Sequence, residues 1–250
     1  MKLALQIYTL RDKFDADGIA AVLAKAKAMG YDGVEWFDLM GVTPAELAEM
    51  TRSAGLEFFS MHISWATLSA CDTALMDELA AAGAKYLPIG WLPEERLAGG
   101  PLFEETCRQI EVYSKEAAKR GLKVLYHNHD FDLAKYGGAT KLDALYEALP
   151  AELLSAELDT CWLYTGGVDA AGYLKKYADR APIIHLKDCV KEGGRSGYKP
   201  IGTGVLNWDE LLPLCDQADW VCVEQDEPSD GLDSYCCAGM SAAYLKGKGI

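Results

Sequence analysis

The chain repeats one pattern eight times: a short run rich in β-branched and aromatic residues, then a longer segment whose apolar residues fall three and four apart. The short runs are 3–9 (LALQIYT), 33–37 (GVEWF), 56–64 (LEFFSMHIS), 84–91 (AKYLPIGW), 122–129 (LKVLYHNH), 153–160 (LLSAELDT), 182–188 (PIIHLKD) and 220–226 (WVCVEQD). Helical spacing is clear between them in DGIAAVLAKAKAMG, TPAELAEMTRSAG, DTALMDELAAAG and FEETCRQIEVYSKEAAKRG. Three of these close on Gly30, Gly55 and Gly121, where the left-handed residue that ends a helix favours glycine. Eight strand–helix units in 250 residues suit a closed parallel barrel, in which strands covered by helices read as near-continuous apolar runs. An open doubly wound sheet would show G-x-G-x-x-G after the first strand, and that motif is absent. No Pro/Gly/Ser-rich linker interrupts the pattern. The expected architecture is a single-domain α/β fold, a (β/α)8 TIM barrel spanning residues 1–250.

Charge narrows the partners. Lys and Arg number 24 against 38 Asp and Glu, a formal charge of −14, which argues against nucleic acid because phosphate binding needs the opposite excess. No apolar run reaches the roughly 20 residues that span a bilayer. The first apolar run meets Arg11 and Asp12 at once, unlike a cleavable signal, so no membrane partner and a cytoplasmic location are expected. The eight cysteines contain no C-x-x-C pair and are read as reduced thiols, several of them small buried hydrophobes. The apolar tail YCCAGMSAAYL offers a face to a second copy of the chain, leaving a homo-oligomer open, although covering its own barrel is the simpler use.

The four histidines, His62, His127, His129 and His185, all fall near the C-terminal ends of predicted strands. Those ends converge on one face of a parallel barrel, the face that carries ligands and acid/base groups. Glu35, Asp159, Lys187, Asp188, Glu224, Gln225 and Asp226 stand at the same ends. One such residue alone reads as a structural hydrogen-bonding group. Several carboxylates converging on imidazoles describe a site for one divalent cation, with Mn, Co, Mg and Zn not distinguished by the residues. His127 and His129 lie two apart on a strand, on one face about 7 Å from each other, so either is available as a ligand and the other as a substrate contact.

The pieces QIYTLRD, GYDGVEW, MHISW, GLKVLYHNHDFD, ELDTCWLYTGGVD, IIHLKD, IGTGVLNW and VCVEQD run along nearly the whole chain. As a group they resemble the sugar phosphate isomerase/epimerase superfamily, the xylose isomerase-like barrels. That resemblance implies a cation held by side chains of strands five to eight, here Asp159, His185 and Glu224 together with His127, which aligns with a glutamate of many relatives. With both imidazoles neutral these four carry −2, the charge a divalent ion cancels. The same replacement removes one of the two glutamates that epimerising relatives place on opposite faces of a substrate carbon. A similar His-x-His on strand five occurs in keto-inositol dehydratases.

The expected activity is therefore a metal-dependent sugar isomerase or epimerase that moves a proton next to the carbonyl of a keto sugar or derivative. The alternatives are a keto-inositol or keto-sugar dehydratase/lyase, and a non-catalytic sugar-binding module with a decayed metal site. The abasic-site endonuclease branch of the barrel would need a basic face that this chain lacks. Glu224, His129 and Lys187 are the expected catalytic groups, with Glu35 and His62 holding distal hydroxyls or assisting proton transfer. Trp162, with Trp36 and Trp65, offers flat faces to a small sugar substrate. The two-glycine turn in IGTGVLNW, with Arg195 and Lys199, is a weak phosphate signal, and a non-phosphorylated sugar is preferred.

Overall fold

The computed structural model describes residues 1–190 and 197–250, so Arg195 lies outside the described residues. Eight parallel strands close into one barrel: β1 (Lys2–Gln6), β2 (Gly33–Trp36), β3 (Glu57–Met61), β4 (Tyr86–Ile89), β5 (Lys123–His127), β6 (Ser155–Asp159), β7 (Ile183–Leu186) and β8 (Trp220–Val223). Each pairs with its sequence neighbour, and β1 pairs with β8 to close the ring. Every strand falls where the apolar runs predict it, although most runs overreach at the C-terminal end, where the backbone leaves the ladder to build the mouth. Gly30 at φ 96°, Gly55 at 77° and Gly121 at 73° take the left-handed conformation expected of them.

Two separate apolar layers follow from strand alternation. Val34, Leu87, Leu158, Ile184, Leu186, Val221 and Val223 face outward into the large core shared with the helices. Ala4, Phe59, Tyr86, Leu125, Ile183, Trp220 and Cys222 face inward and plug the barrel, with the Phe59 and Trp220 rings stacked at 4.0 Å between centroids. One strand breaks the alternation. The ladder between β2 and β3 slips from Val34↔Phe58 to Glu35↔Ser60, leaving Phe59 as an extra residue. Phe59 then belongs to the plug and Met61 to the helix-facing core, where an unbroken period of two would send both the same way. The slip turns Ser60 inward onto Glu35 at 2.5 Å and brings His62 to the mouth.

The tail helix Ser234–Gly247 covers its own barrel, burying Cys237, Ala238, Ala242 and Leu245, with the Tyr31 hydroxyl donating to the Ala238 carbonyl at 2.9 Å. All eight cysteines are free thiols. No helix among the described residues is long and apolar enough to cross a membrane.

Gly33 shows how tightly the plug is seated. A Cβ there would lie 2.8 Å from Trp220 Cη2 and 2.9 Å from the Glu57 carbonyl oxygen. Gly33→Ala is expected to lower the unfolding free energy in urea titrations by about 1–3 kcal/mol through overpacking. Gly138→Ala, with nothing within 4 Å of the added carbon, is expected to stay within about 0.5 kcal/mol.

Candidate metal centre

Four consecutive strands each present one donor at the mouth. His127 ends β5, Asp159 ends β6, His185 lies in β7, and Glu224 follows β8. His127 Nε2 is 3.5 Å from Asp159 Oδ2 and 3.7 Å from Glu224 Oε2, and His185 Nδ1 is 3.2 Å from Glu224 Oε2. All four donor atoms lie within 4.8 Å of one another. Ligand bonds of about 2.1 Å in a tetrahedron set donors about 3.4 Å apart, so these spacings fit one ion. Local structure aims the donors. Asp159 caps the helix Thr160–Thr165, its Oδ1 accepting from the Trp162 amide at 2.9 Å, which leaves Oδ2 turned to the cluster. Asp159 Oδ2 and His127 Nε2 are buried without a hydrogen-bond partner, as lone pairs reserved for a cation would be. The residues fit a divalent ion held by His127, Asp159, His185 and Glu224.

Beneath this set lies a second one. His185 Nε2 is 2.7 Å from Glu35 Oε1 and 3.6 Å from Glu157 Oε1, and His62 Nε2 is 3.2 Å from Glu35 Oε1 and 2.9 Å from Glu157 Oε2. His185 therefore stands between two groups, Nδ1 up and Nε2 down. Burial works to raise the Glu35 carboxyl, but His62 and His185 overcome it and hold the group well below the usual carboxylate range. Burial and the Glu35 charge push Glu157 up instead. Burial opposes the charged form of His62, yet Glu35 and Glu157 carry its pKa up to about 10.

Lys187 completes the charge balance. Its ammonium is 2.9 Å from Glu224 Oε2, 3.4 Å from Asp159 Oδ2 and 2.7 Å from Asp226 Oδ1, and sits 4.7 Å from the centroid of the Trp162 ring. Burial works against this cation, but Asp159, Glu224 and Asp226 hold its pKa well above the ordinary lysine value. Glu224 is the mirror case: burial would raise it, while Lys187, His185 and His127 drive it well below its ordinary value. His129 is half-buried beside them, its ring 4.9 Å from that of His127 and 5.3 Å from that of Trp162.

The other expected site residues are largely committed to partners within the chain. Glu35 has zero exposure, and its carboxylate accepts from Gln6 Nε2 at 3.0 Å and Ser60 Oγ at 2.5 Å besides meeting His185. His62 is likewise turned onto Glu35 and Glu157. Trp36 is fully buried on the helix side, its indole N–H donating to Thr51 Oγ1, because alternation sends it outward from Glu35. Trp162 is 2 % exposed and covers Lys187 instead of presenting a free face. Trp65 is half-buried under the Arg96 guanidinium, 4.1 Å from its ring centroid. The glycine turn holds a carboxylate of its own chain in place of a phosphate: the amides of Gly202 and Gly204 each donate to Asp188 Oδ2 at 3.0 Å, and the Trp208 indole N–H joins them at 2.8 Å. Lys199 pairs with Asp230 at 2.5 Å. Glu157 escaped the reading of the sequence. Its position two residues before Asp159 on one strand was the available signal, since both must then face inward.

Asp132 supports the mouth from behind, accepting the Tyr126 hydroxyl at 2.9 Å and the His129 amide at 2.7 Å. Burial pushes its pKa from 3.8 up to about 7. A carboxyl raised by folding contributes stability that is fully present below the unfolded pKa and lost as pH rises through the folded one. From pH 4 to pH 8 wild type is expected to lose up to about 4 kcal/mol of unfolding free energy relative to Asp132→Asn, measured by urea titration at each pH. A difference independent of pH would contradict this.

Among known proteins, the inosose dehydratase of Geobacillus kaustophilus is 24% identical over 266 aligned positions, covering 90% of this chain and 85% of that one. A crystal structure of a sugar phosphate isomerase/epimerase from Parabacteroides distasonis superposes with a TM-score of 0.82 at 22% identity, covering 98% of both chains. The IolI protein, solved with a bound zinc atom, superposes at 0.70 and 16% identity over 98% of this chain and 96% of that one. The family model for the xylose isomerase-like TIM barrel matches residues 23–235, and the chain belongs to that family.

Proposed function

We propose that this protein is a divalent-metal-dependent enzyme that removes a proton next to the carbonyl of a keto sugar or keto cyclitol. The observation that carries the reading is the convergence of His127 Nε2, Asp159 Oδ2, His185 Nδ1 and Glu224 Oε2 within 4.8 Å at the barrel mouth, with Lys187 against the same carboxylates. A divalent cation held by His127, Asp159, His185 and Glu224 would supply Lewis-acid stabilisation of negative charge on substrate oxygen. The chain supplies the rest. Glu35 orients His185 by accepting at Nε2, so that Nδ1 is the nitrogen offered upward. Lys187, held charged, offsets negative charge growing on substrate oxygen. Glu224 turns Oε2 to Lys187 and His185, which leaves Oε1 to take the substrate proton, and His129 at the rim delivers a proton to the departing or neighbouring oxygen.

Two fates of the carbanion fit this site. Return of the proton makes an isomerase or epimerase. Loss of a β-hydroxyl as water makes a dehydratase, a reading favoured by His127 at the strand-five position and by the inosose dehydratase that aligns with 90% of the chain. Reaction in D2O with a panel of ketoses and keto inositols separates them. Deuterium in an unchanged carbon skeleton with altered configuration or carbonyl position marks isomerisation, whereas an absorbing unsaturated carbonyl product marks dehydration. A metal-loaded protein that does neither is a binding module.

Two substitutions test the assignments. Glu224→Gln keeps the volume and removes a charge and a base, and is expected to lower kcat about 10²–10⁴-fold with the thermal unfolding midpoint of the fold retained. Near-normal turnover would remove Glu224 from the mechanism. Asp159→Asn is expected to lower the ion-to-protein ratio after dialysis by weakening retention about 10–100-fold, with elemental analysis as the check.

A further inference from the structure

We propose that Glu35, His62 and Glu157 form a second divalent-cation site directly beneath the one at the mouth, with His185 standing between the two. The three residues come from β2, the end of β3 and β6, so the barrel wall fixes them independently of the mouth ligands. Their donor atoms, with His185 Nε2, lie within 4.8 Å of one another.

Glu157 points to the ligand. It has zero exposure, and neither carboxylate oxygen has a hydrogen-bond partner. His62 Nε2 is 2.9 Å from Glu157 Oε2, yet it too is without a hydrogen bond, because the two groups are close without being aligned on each other. The contrast with Glu35 is sharp, since Gln6, Ser60 and His185 all bond that carboxylate. A buried carboxylate that accepts no hydrogen bond is costly even with the His62 and His185 rings beside it, and a cation among these atoms offsets that cost.

Charge and geometry agree. Binding displaces the proton that Glu35 and Glu157 hold on the His62 ring, after which two carboxylates and one neutral imidazole carry −2, which a divalent ion cancels, and the mixed nitrogen and oxygen set suits Zn, Co or Mn. His185 is not needed as a ligand of the lower ion. With Nδ1 committed upward, its Nε2–H donates to Glu35 at 2.7 Å, tying the two sites through one ring. Room for His62 is built in as well. A Cβ on Gly90 would lie 2.9 Å from His62 Nδ1, so the ring occupies space that only glycine leaves open. The His62 side chain, 12% exposed where Glu35 and Glu157 are fully buried, is the route from solvent.

The test uses the full chain, stripped with a chelator, reloaded with Co²⁺ alone and desalted before elemental analysis and visible absorption. Wild type is expected to hold two Co²⁺ per chain and Glu157→Gln one, the survivor being the ion whose absorption Asp159→Asn removes. One Co²⁺ in wild type, or two retained in Glu157→Gln, overturns the proposal. Gly90→Ala covers the case in which Glu157→Gln fails to fold. It touches no mouth ligand and is expected to weaken the second ion about 10-fold by displacing His62, and unchanged affinity there overturns the proposal equally.

Discussion

The short contact between Glu35 and His185 governs the interior of this barrel. At 2.7 Å, with both side chains fully buried, it fixes which nitrogen of His185 faces the mouth. The imidazole has two useful directions, and a ring free to flip would offer either nitrogen to either side. Glu35 removes that freedom because Gln6 and Ser60 hold its own oxygens in place. The constraint thus runs from the β2–β3 slip, which delivers Ser60, through Glu35 to the nitrogen that meets Glu224. Preorganisation of this kind matters where water is excluded, since nothing else can reorient to satisfy a misplaced donor.

How far the sequence reveals this arrangement depends on the period being read. The eight strands were legible because parallel strands buried on both sides are apolar throughout, and the four histidines were legible as a group because they all sit at strand ends. That same apolar continuity hides which residues face inward. In 220–226 nothing in the residue types distinguishes Cys222, which enters the plug, from Val221 and Val223, which face the helices. Trp36 and Glu35 are adjacent and both at a strand end, so position alone assigned both to the mouth, while alternation sends one behind the wall and the other under the His and carboxylate cluster. Depth is hidden too. Asp159 and Glu157 share a face, but only the closed barrel shows that one step of two residues separates a mouth ligand from a fully buried carboxylate.

The glycine turn teaches a related lesson about anions. Backbone amides in a glycine-rich loop bind whichever negative group reaches them, and sequence does not say whether that group is a ligand or the chain itself. Here Asp188 arrives first, one residue past Lys187, and takes the amides of Gly202, Gly204 and Leu206. A Cβ on Gly204 would lie 2.1 Å from Asp188 Oδ1, so that glycine admits the carboxylate rather than an external phosphate.

The segment IIHLKD carries three functions because its side chains alternate and then diverge. His185 faces inward at the boundary between two carboxylate sets, Lys187 faces inward one step higher, and Asp188 leaves the barrel to anchor the turn that follows. Lys187 counts most for the balance of the mouth. Asp159, Glu224 and Asp226 together bring −3 into a region almost without solvent, and one ammonium 2.7–3.4 Å from all three offsets a single charge. The remaining −2 is what a divalent cation matches, so lysine and cation are complementary occupants of one field, not competitors for it. Trp162 and Tyr198, with ring centroids 4.7 and 5.4 Å from the ammonium, close the side away from the carboxylates and keep water from screening the set. Burial and these contacts keep Lys187 as a fixed positive charge within the set.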